Sequence, residues 1–216
     1  MSRVRVKICG ITSPEDLFVA VEAGADAVGF IIDVLSSPRS LSVDEAKKLI
    51  KATPIFVETV AVTVFEGSSH IEEISKELNP SIIQVHGLNH LHKEARERLL
   101  DTRLIGALQV KSSLEIDGIT RATDAFDAVL LDSYVPGKYG GSGATHDWEL
   151  SKRVKEAIYP KPLILAGGLK PENVKEAICT VKPYAVDVSS GVESRPGVKD
   201  RKKVFEFIKN VKEAEI

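Results

Sequence analysis

Short apolar runs alternate with amphipathic stretches along the whole chain. Runs rich in Val and Ile fall at 3–8, 27–32, 57–64, 82–85, 104–110, 128–131, 163–166 and 184–188. Most are continuous rather than alternating, the pattern of strands buried on both faces, and they predict a parallel sheet. Between them the period changes. Ile71, Ile74 and Leu78 fall at i, i+3, i+7, and Val174, Ala177, Ile178 and Val181 at i, i+3, i+4, i+7. Both sets describe one face of a helix. Val204, Phe205, Ile208 and Val211 read as a third such stripe. Helix starts are expected at Ser13-Pro14-Glu15, at Ser42 before Val43-Asp44-Glu45, and at Pro171-Glu172. The weakest helical pattern is 112–125.

Eight strands alternating with eight helices in 216 residues predict a single-domain (β/α)8 TIM barrel spanning 1–216. A doubly wound open sheet is the competitor. It usually has fewer strands, and the first strand is followed by Cys9-Gly10-Ile11-Thr12, which lacks a glycine-rich dinucleotide fingerprint.

Charge narrows the partners. The net charge is -2, and no basic stripe runs along any element, so no nucleic-acid partner is expected. No apolar run is long enough for a membrane span, and residues 1–7 are charged and lead straight into a strand rather than forming a signal peptide. Two cysteines far apart in sequence, Cys9 and Cys179, point to a reducing, cytoplasmic setting.

In a parallel barrel the carboxyl ends of the strands form the catalytic face. Chemically capable residues gather there. Cys9 follows the first strand, Ser37-Pro38-Arg39 the second, His86 the fourth and Asp132 the sixth; Asp187, Ser189, Ser190 and Gly191 close the eighth. Glycines gather too: Gly140-Gly141-Ser142-Gly143 after the sixth strand, Gly167-Gly168 after the seventh, and Gly191 after the eighth. Glycine lets backbone N–H groups approach an anion, and loops after strands seven and eight are common phosphate sites in barrels. Each feature also has a plainer reading. Glycine pairs make ordinary turns, a lone Cys is often buried filler, Asp132 suits a solvated loop, His86 a structural role and Arg39 a surface charge. Cys179, beside Ala177 and Ile178 on a helix, fits the filler reading; Cys9, at a strand end, fits it poorly. No set of residues has metal-ligand spacing, and no Ser sits in a G-x-S-x-G elbow, so neither a metal nor Ser-His-Asp catalysis is expected.

These motifs, taken in order, resemble phosphoribosylanthranilate isomerase, an enzyme of tryptophan biosynthesis. The resemblance rests on Lys7-Ile8-Cys9-Gly10-Ile11-Thr12, Ser37-Pro38-Arg39, Gln84-Val85-His86-Gly87, Leu130-Leu131-Asp132, Gly140-Gly141-Ser142-Gly143 with Asp147-Trp148, Ala166-Gly167-Gly168-Leu169, and Val186-Asp187-Val188-Ser189-Ser190-Gly191-Val192-Glu193. It implies a cofactor-free barrel, monomeric or homodimeric, that takes a phosphorylated small molecule. The reaction implied is the Amadori rearrangement of N-(5-phosphoribosyl)anthranilate to 1-(2-carboxyphenylamino)-1-deoxyribulose 5-phosphate. By the same resemblance Cys9 is the general base, Asp132 the general acid, and Arg39 the residue that meets the anthranilate end. The backbone at Gly141, Ser142, Gly143, Gly167, Gly168, Ser190 and Gly191 would hold the phosphate, with His86 and Asp187 lining the pocket. Departures are few: Ser142 stands where Thr is more common, His146 where Phe is, and Thr63 where Gly is.

Chemistry independently requires one acid and one base for this reaction, because ring opening needs a proton at the ring oxygen and isomerisation needs one removed from C2. Rival readings remain. Related phosphosugar barrels use paired Asp or Lys/Glu instead. A phosphate-ligand sensor would need neither Cys9 nor Asp132, and a thiol redox protein would need a resolving Cys near Cys9.

Overall fold

The structure, a computed structural model, describes residues 3–65, 67–87, 92–99, 101–110, 119, 123–133 and 147–214. Eight parallel strands form the barrel: β1 (Arg5–Cys9), β2 (Ala27–Ile32), β3 (Glu58–Val64), β4 (Ile82–His86), β5 (Arg103–Val110), β6 (Ala128–Ser133), β7 (Leu163–Leu165) and β8 (Ala185–Val188). Neighbours in the chain are neighbours in the sheet, and β1 closes the ring by pairing with both β2 and β8. The described helices are α1 (Pro14–Ala23), α2 (Val43–Ala52), α3 (Ser68–Leu78), α4 (His92–Arg98), α5 (Trp148–Ile158), α6 (Val174–Val181) and α7 (Arg201–Lys212). The closed parallel barrel is the architecture that the alternation predicts. The helix expected over 112–125 lies largely outside the described residues.

Local signals set the element ends. Ser13 Oγ accepts a hydrogen bond from the Asp16 N–H at 3.1 Å, and Pro14 opens α1. Ser42 and Glu45 form a reciprocal capping box at the start of α2. The third expected start is displaced. Pro171, Glu172 and Asn173 form a turn, and α6 begins at Val174. Asn173 fixes that turn: its Oδ1 accepts from the Lys170 N–H at 2.8 Å and its Nδ2 donates to the Gly168 carbonyl at 3.0 Å. The stripe on α7 also needs correction. Val204, Phe207, Ile208 and Val211 are buried, at i, i+3, i+4, i+7. Phe205 is only partly buried, and the Arg201 guanidinium lies 4.7 Å from its ring centre.

The strands divide their side chains by the period of two. Val6, Ile8, Ile83, Val85, Val129, Leu131, Val186 and Val188 point outward into the layer shared with the helices. Full burial of each such side chain contributes about 1.5–3 kcal/mol. The alternate residues point inward. Ile105, Ala107, Leu130, Ile164, Ala166 and Ala185 fill the interior on one side, and Val60, Val62 and Cys9 on the other. Polar side chains take over the inward positions of several strands: Lys7 and Cys9 in β1, Gln84 and His86 in β4, Asp132 in β6 and Asp187 in β8, all buried. Among the described residues, no helix is long and apolar enough to cross a membrane.

Candidate active site

Three of the expected site residues belong to strands rather than to the loops after them. Cys9 pairs with Gly29 of β2, His86 with Val64 of β3, and Asp132 with Gln109 of β5. The backbone ladder therefore holds each side chain on the barrel wall, a more rigid mount than a loop.

The barrel brings the dispersed residues to one cavity of about 340 Å³. Cys9, Arg39, His86, Asp132, Gly167, Gly168, Asp187, Ser190 and Gly191 all line it. That volume suits a small-molecule ligand. Gly141, Ser142 and Gly143 lie outside the described residues. The loops after β7 and β8 meet backbone to backbone. A Cβ at Gly191 would stand 1.9 Å from the Leu169 carbonyl oxygen, and one at Gly167, where φ is +83°, would stand 2.5 Å from the Ser133 nitrogen. Only glycine permits this approach, so these two glycines shape the cavity wall.

Burial dominates the site's acid–base properties. It raises the Asp132 carboxyl to about 6, against a hydrogen bond from the Ser133 N–H at 2.8 Å that favours the charged form. The Asp187 charge adds to the rise and the Lys7 charge opposes it. Burial also pushes the Cys9 thiol above its ordinary value, while the Lys7 charge draws it back down. The His86 imidazole falls to about 4, from burial first and the Lys7 charge second, so it is neutral near pH 7. Gln84 Nε2 lies 2.9 Å from His86 Nε2. An amide nitrogen only donates, so His86 Nε2 accepts and Nδ1 carries the ring proton. His86 Nδ1, Gln84 Oε1 and Ser189 Oγ are buried and have no partner among the described residues. They offer a polar ligand both donors and acceptors.

Arg39 is buried, not a surface charge. Its Nε and Nη2 donate to the two carboxylate oxygens of Glu193, each at 2.7 Å. Lys199 Nζ donates to Glu193 Oε1 at 2.8 Å and to the Ser189 carbonyl at 3.2 Å. Of the two cations that share this carboxylate, Arg39 lines the cavity, where its guanidinium suits an anion. Below, Lys7 Nζ donates to Asp187 Oδ1 at 2.9 Å, with both side chains buried.

Lys7, Glu193 and Lys199 are not among the site residues expected from sequence. Lys7 carries a usable signal, being two residues before Cys9 in an apolar strand and hence on its face. Glu193 is 154 residues from Arg39, and no spacing rule connects them. Among the described residues, no group of three or more His, Cys, Asp or Glu is arranged to hold a metal ion.

The family model described as N-(5'-phosphoribosyl)anthranilate isomerase matches residues 6–210. The N-(5'-phosphoribosyl)anthranilate isomerase of Trichlorobacter lovleyi is 44% identical over 98% of this chain and 99% of its own. A crystal structure of monomers derived from the dimeric phosphoribosylanthranilate isomerase of Thermotoga maritima superposes with a TM-score of 0.84 and 36% identity, covering 97% of this chain and 98% of that one. A phosphoribosylanthranilate isomerase in complex with reduced 1-(o-carboxyphenylamino)-1-deoxyribulose 5-phosphate gives a TM-score of 0.83 and 37% identity, again covering 97% and 98%. The same barrel, matched end to end in sequence and in three dimensions, means that this chain belongs to the N-(5'-phosphoribosyl)anthranilate isomerase family.

Proposed function

We propose that the isomerase reaction of this family, a step of tryptophan biosynthesis, runs in this cavity with Asp132 as acid and Cys9 as base. The observation that carries the assignment is a buried carboxyl and a buried thiol on β6 and β1 facing the same cavity. The Asp132 carboxyl gives its proton to the ribose ring oxygen as the bond from C1 to that oxygen breaks, and the nitrogen lone pair forms the iminium. The Cys9 thiolate then takes the C2 proton. The electron pair of that C–H bond becomes the C1=C2 bond, and nitrogen becomes neutral. The enolamine gains a proton at C1 and loses one from the C2 hydroxyl, giving the ketone. The phosphate is assigned to the backbone at Gly167, Gly168, Ser190 and Gly191, together with Gly141, Ser142 and Gly143. His86 and Asp187 are left to contact the polar groups between the two ends. Loss of the fluorescence of N-(5'-phosphoribosyl)anthranilate on mixing with purified protein tests the activity; unchanged fluorescence would end the proposal.

Arg39 is assigned to the anthranilate carboxylate. Glu193 engages Nε and Nη2, which leaves the Nη1 edge of the fork for a second carboxylate. Replacing Arg39 with Ala is expected to raise KM by about tenfold or more with a smaller change in kcat, since a charge-assisted contact is lost. Lys199 still pairs with Glu193 in that variant, so the fold survives. A KM within twofold of the parent would remove Arg39 from the substrate site.

A homodimer is the assembly we assign. Ile55 and Phe56, 90% and 93% exposed, stand side by side in the loop between α2 and β3, at the barrel end opposite the cavity. Adjacent large apolar side chains left in water favour burial against a second copy, and the Thermotoga maritima relative is described as dimeric. The protein is expected to sediment as a dimer at micromolar concentration, and Phe56→Glu as a monomer with kcat largely retained. A parent protein that sediments as a monomer would overturn this. Cys9 and Cys179 are not joined in a disulfide, which fits the cytoplasm.

A further inference from the structure

Lys7 is a buried cation that the assigned acid and base leave unused. Lys7 is 4% exposed and does not line the cavity, although Cys9 and Asp187 do. Its ammonium lies beneath the floor, bonded at 2.9 Å to Asp187 Oδ1, and the two residues are paired in register across β1 and β8. Lys7 and Cys9 face inward from the same strand, and both side chains pass over Gly29 of β2. A Cβ at Gly29 would stand 2.8 Å from Cys9 Sγ and 3.1 Å from Lys7 Cε. The missing side chain at Gly29 is what allows thiol and lysine to converge.

We infer that Lys7, clamped by Asp187, is a positioning residue that supplies the counter-charge for a Cys9 thiolate. An ammonium has three donors, so the bond to Asp187 leaves others for sulfur. A thiolate held away from water without a cation is costly, and a pre-placed ammonium removes most of that cost. Each group acts on the other's ionisation: Lys7 favours the charged form of Cys9, and Cys9 that of Lys7. The remaining charged groups facing the thiol are Asp187 from β8, Lys199 from the strand Val198–Lys199, and Arg39 from the loop after β2. Among these cations Lys7 acts most strongly on the thiol, ahead of Lys199, and it shares the space over Gly29 with the sulfur.

The inference deepens the proposed role of Cys9 as base and rests on it. The test reads the thiol directly, through the pH dependence of Cys9 alkylation by iodoacetamide in a Cys179→Ser background that removes the exposed thiol. Lys7→Met is expected to move the alkylation midpoint up by at least one pH unit. It should also lower kcat at least tenfold and leave KM within threefold, and Lys7→Arg should restore part of both. Lys7→Met also strands the Asp187 charge, so the deciding variant is Lys7→Met with Asp187→Asn. That pair of changes leaves no unpaired charge and keeps the fold even where the single variant loses it. A midpoint still raised in the double variant supports the inference. A midpoint back at the parent value would mean that Lys7 merely neutralises Asp187, and would overturn it. Retention of kcat by Cys9→Ser would instead remove the base assignment, so the two failures are distinguishable.

Discussion

Replacing Cys9 with Ser is expected to lower kcat by about a thousandfold, the middle of the range for losing a general base, with KM changed by no more than about threefold. The hydroxyl keeps the shape of the side chain but does not ionise in a usable pH range, so the proton at C2 loses its acceptor. Binding should survive because the thiol contributes little to holding an anion. It packs with Val60 and Val62 on the inner wall, while Arg39 and the glycine backbones of the last two loops are untouched. The KM-against-kcat split is therefore the informative readout. A serine variant with kcat within tenfold of the parent would show that another group takes the proton. His86 would be the next candidate, since its neutral ring lines the same cavity.

The barrel is legible in sequence because strands buried on both faces leave continuous apolar runs. Strand ends are less so. Hydrophobic pattern stops where a strand's inward residues turn polar, and at Cys9, His86 and Asp132 this happens before the hydrogen-bond ladder stops. Strand ends facing a polar cavity therefore look like loop in sequence. Phe205 competes with Phe207 for a similar reason: both are aromatic and near the stripe, and only the i, i+3 spacing from Val204 selects Phe207. The gathering of Cys9, Arg39, Asp132, Asp187 and the last two glycine loops follows from the rule that barrel strands end on one face. The ion pairs cannot be read that way. Arg39 with Glu193 and Lys7 with Asp187 join residues 154 and 180 apart, and only closure of the ring brings them together. The readings of Arg39 as a surface charge, of Asp132 as a solvated loop acid and of Cys179 as buried filler fail on burial, Cys179 being exposed, and sequence does not report burial directly.

Replacing Asp132 with Asn is expected to cost about a hundredfold to ten-thousandfold in kcat, and to change the shape of the pH profile as well as its height. The proposed mechanism needs Asp132 protonated and Cys9 ionised. Burial raises Asp132 to about 6 and pushes the Cys9 thiol above its ordinary range, so the resting enzyme near neutrality holds the opposite pair, carboxylate and thiol. With Asp132 the stronger acid of the two, only a small minority of molecules holds the productive form before substrate binds. Proton transfer then carries the enzyme toward its favoured state. Between the two titrations the productive fraction is constant, because each unit rise in pH gains tenfold in thiolate and loses tenfold in carboxylic acid. Below about 6 Asp132 is already protonated, and only the loss of thiolate is felt. The parent kcat/KM should therefore be flat from about pH 6.5 to 8.5, a window in which the substrate phosphate is already mostly dianionic. The amide of the Asp132→Asn variant has no proton to lose, so its residual activity should climb about tenfold per pH unit across the same window, following the thiolate alone. A parent profile that climbs in parallel with the variant would remove Asp132 as the acid.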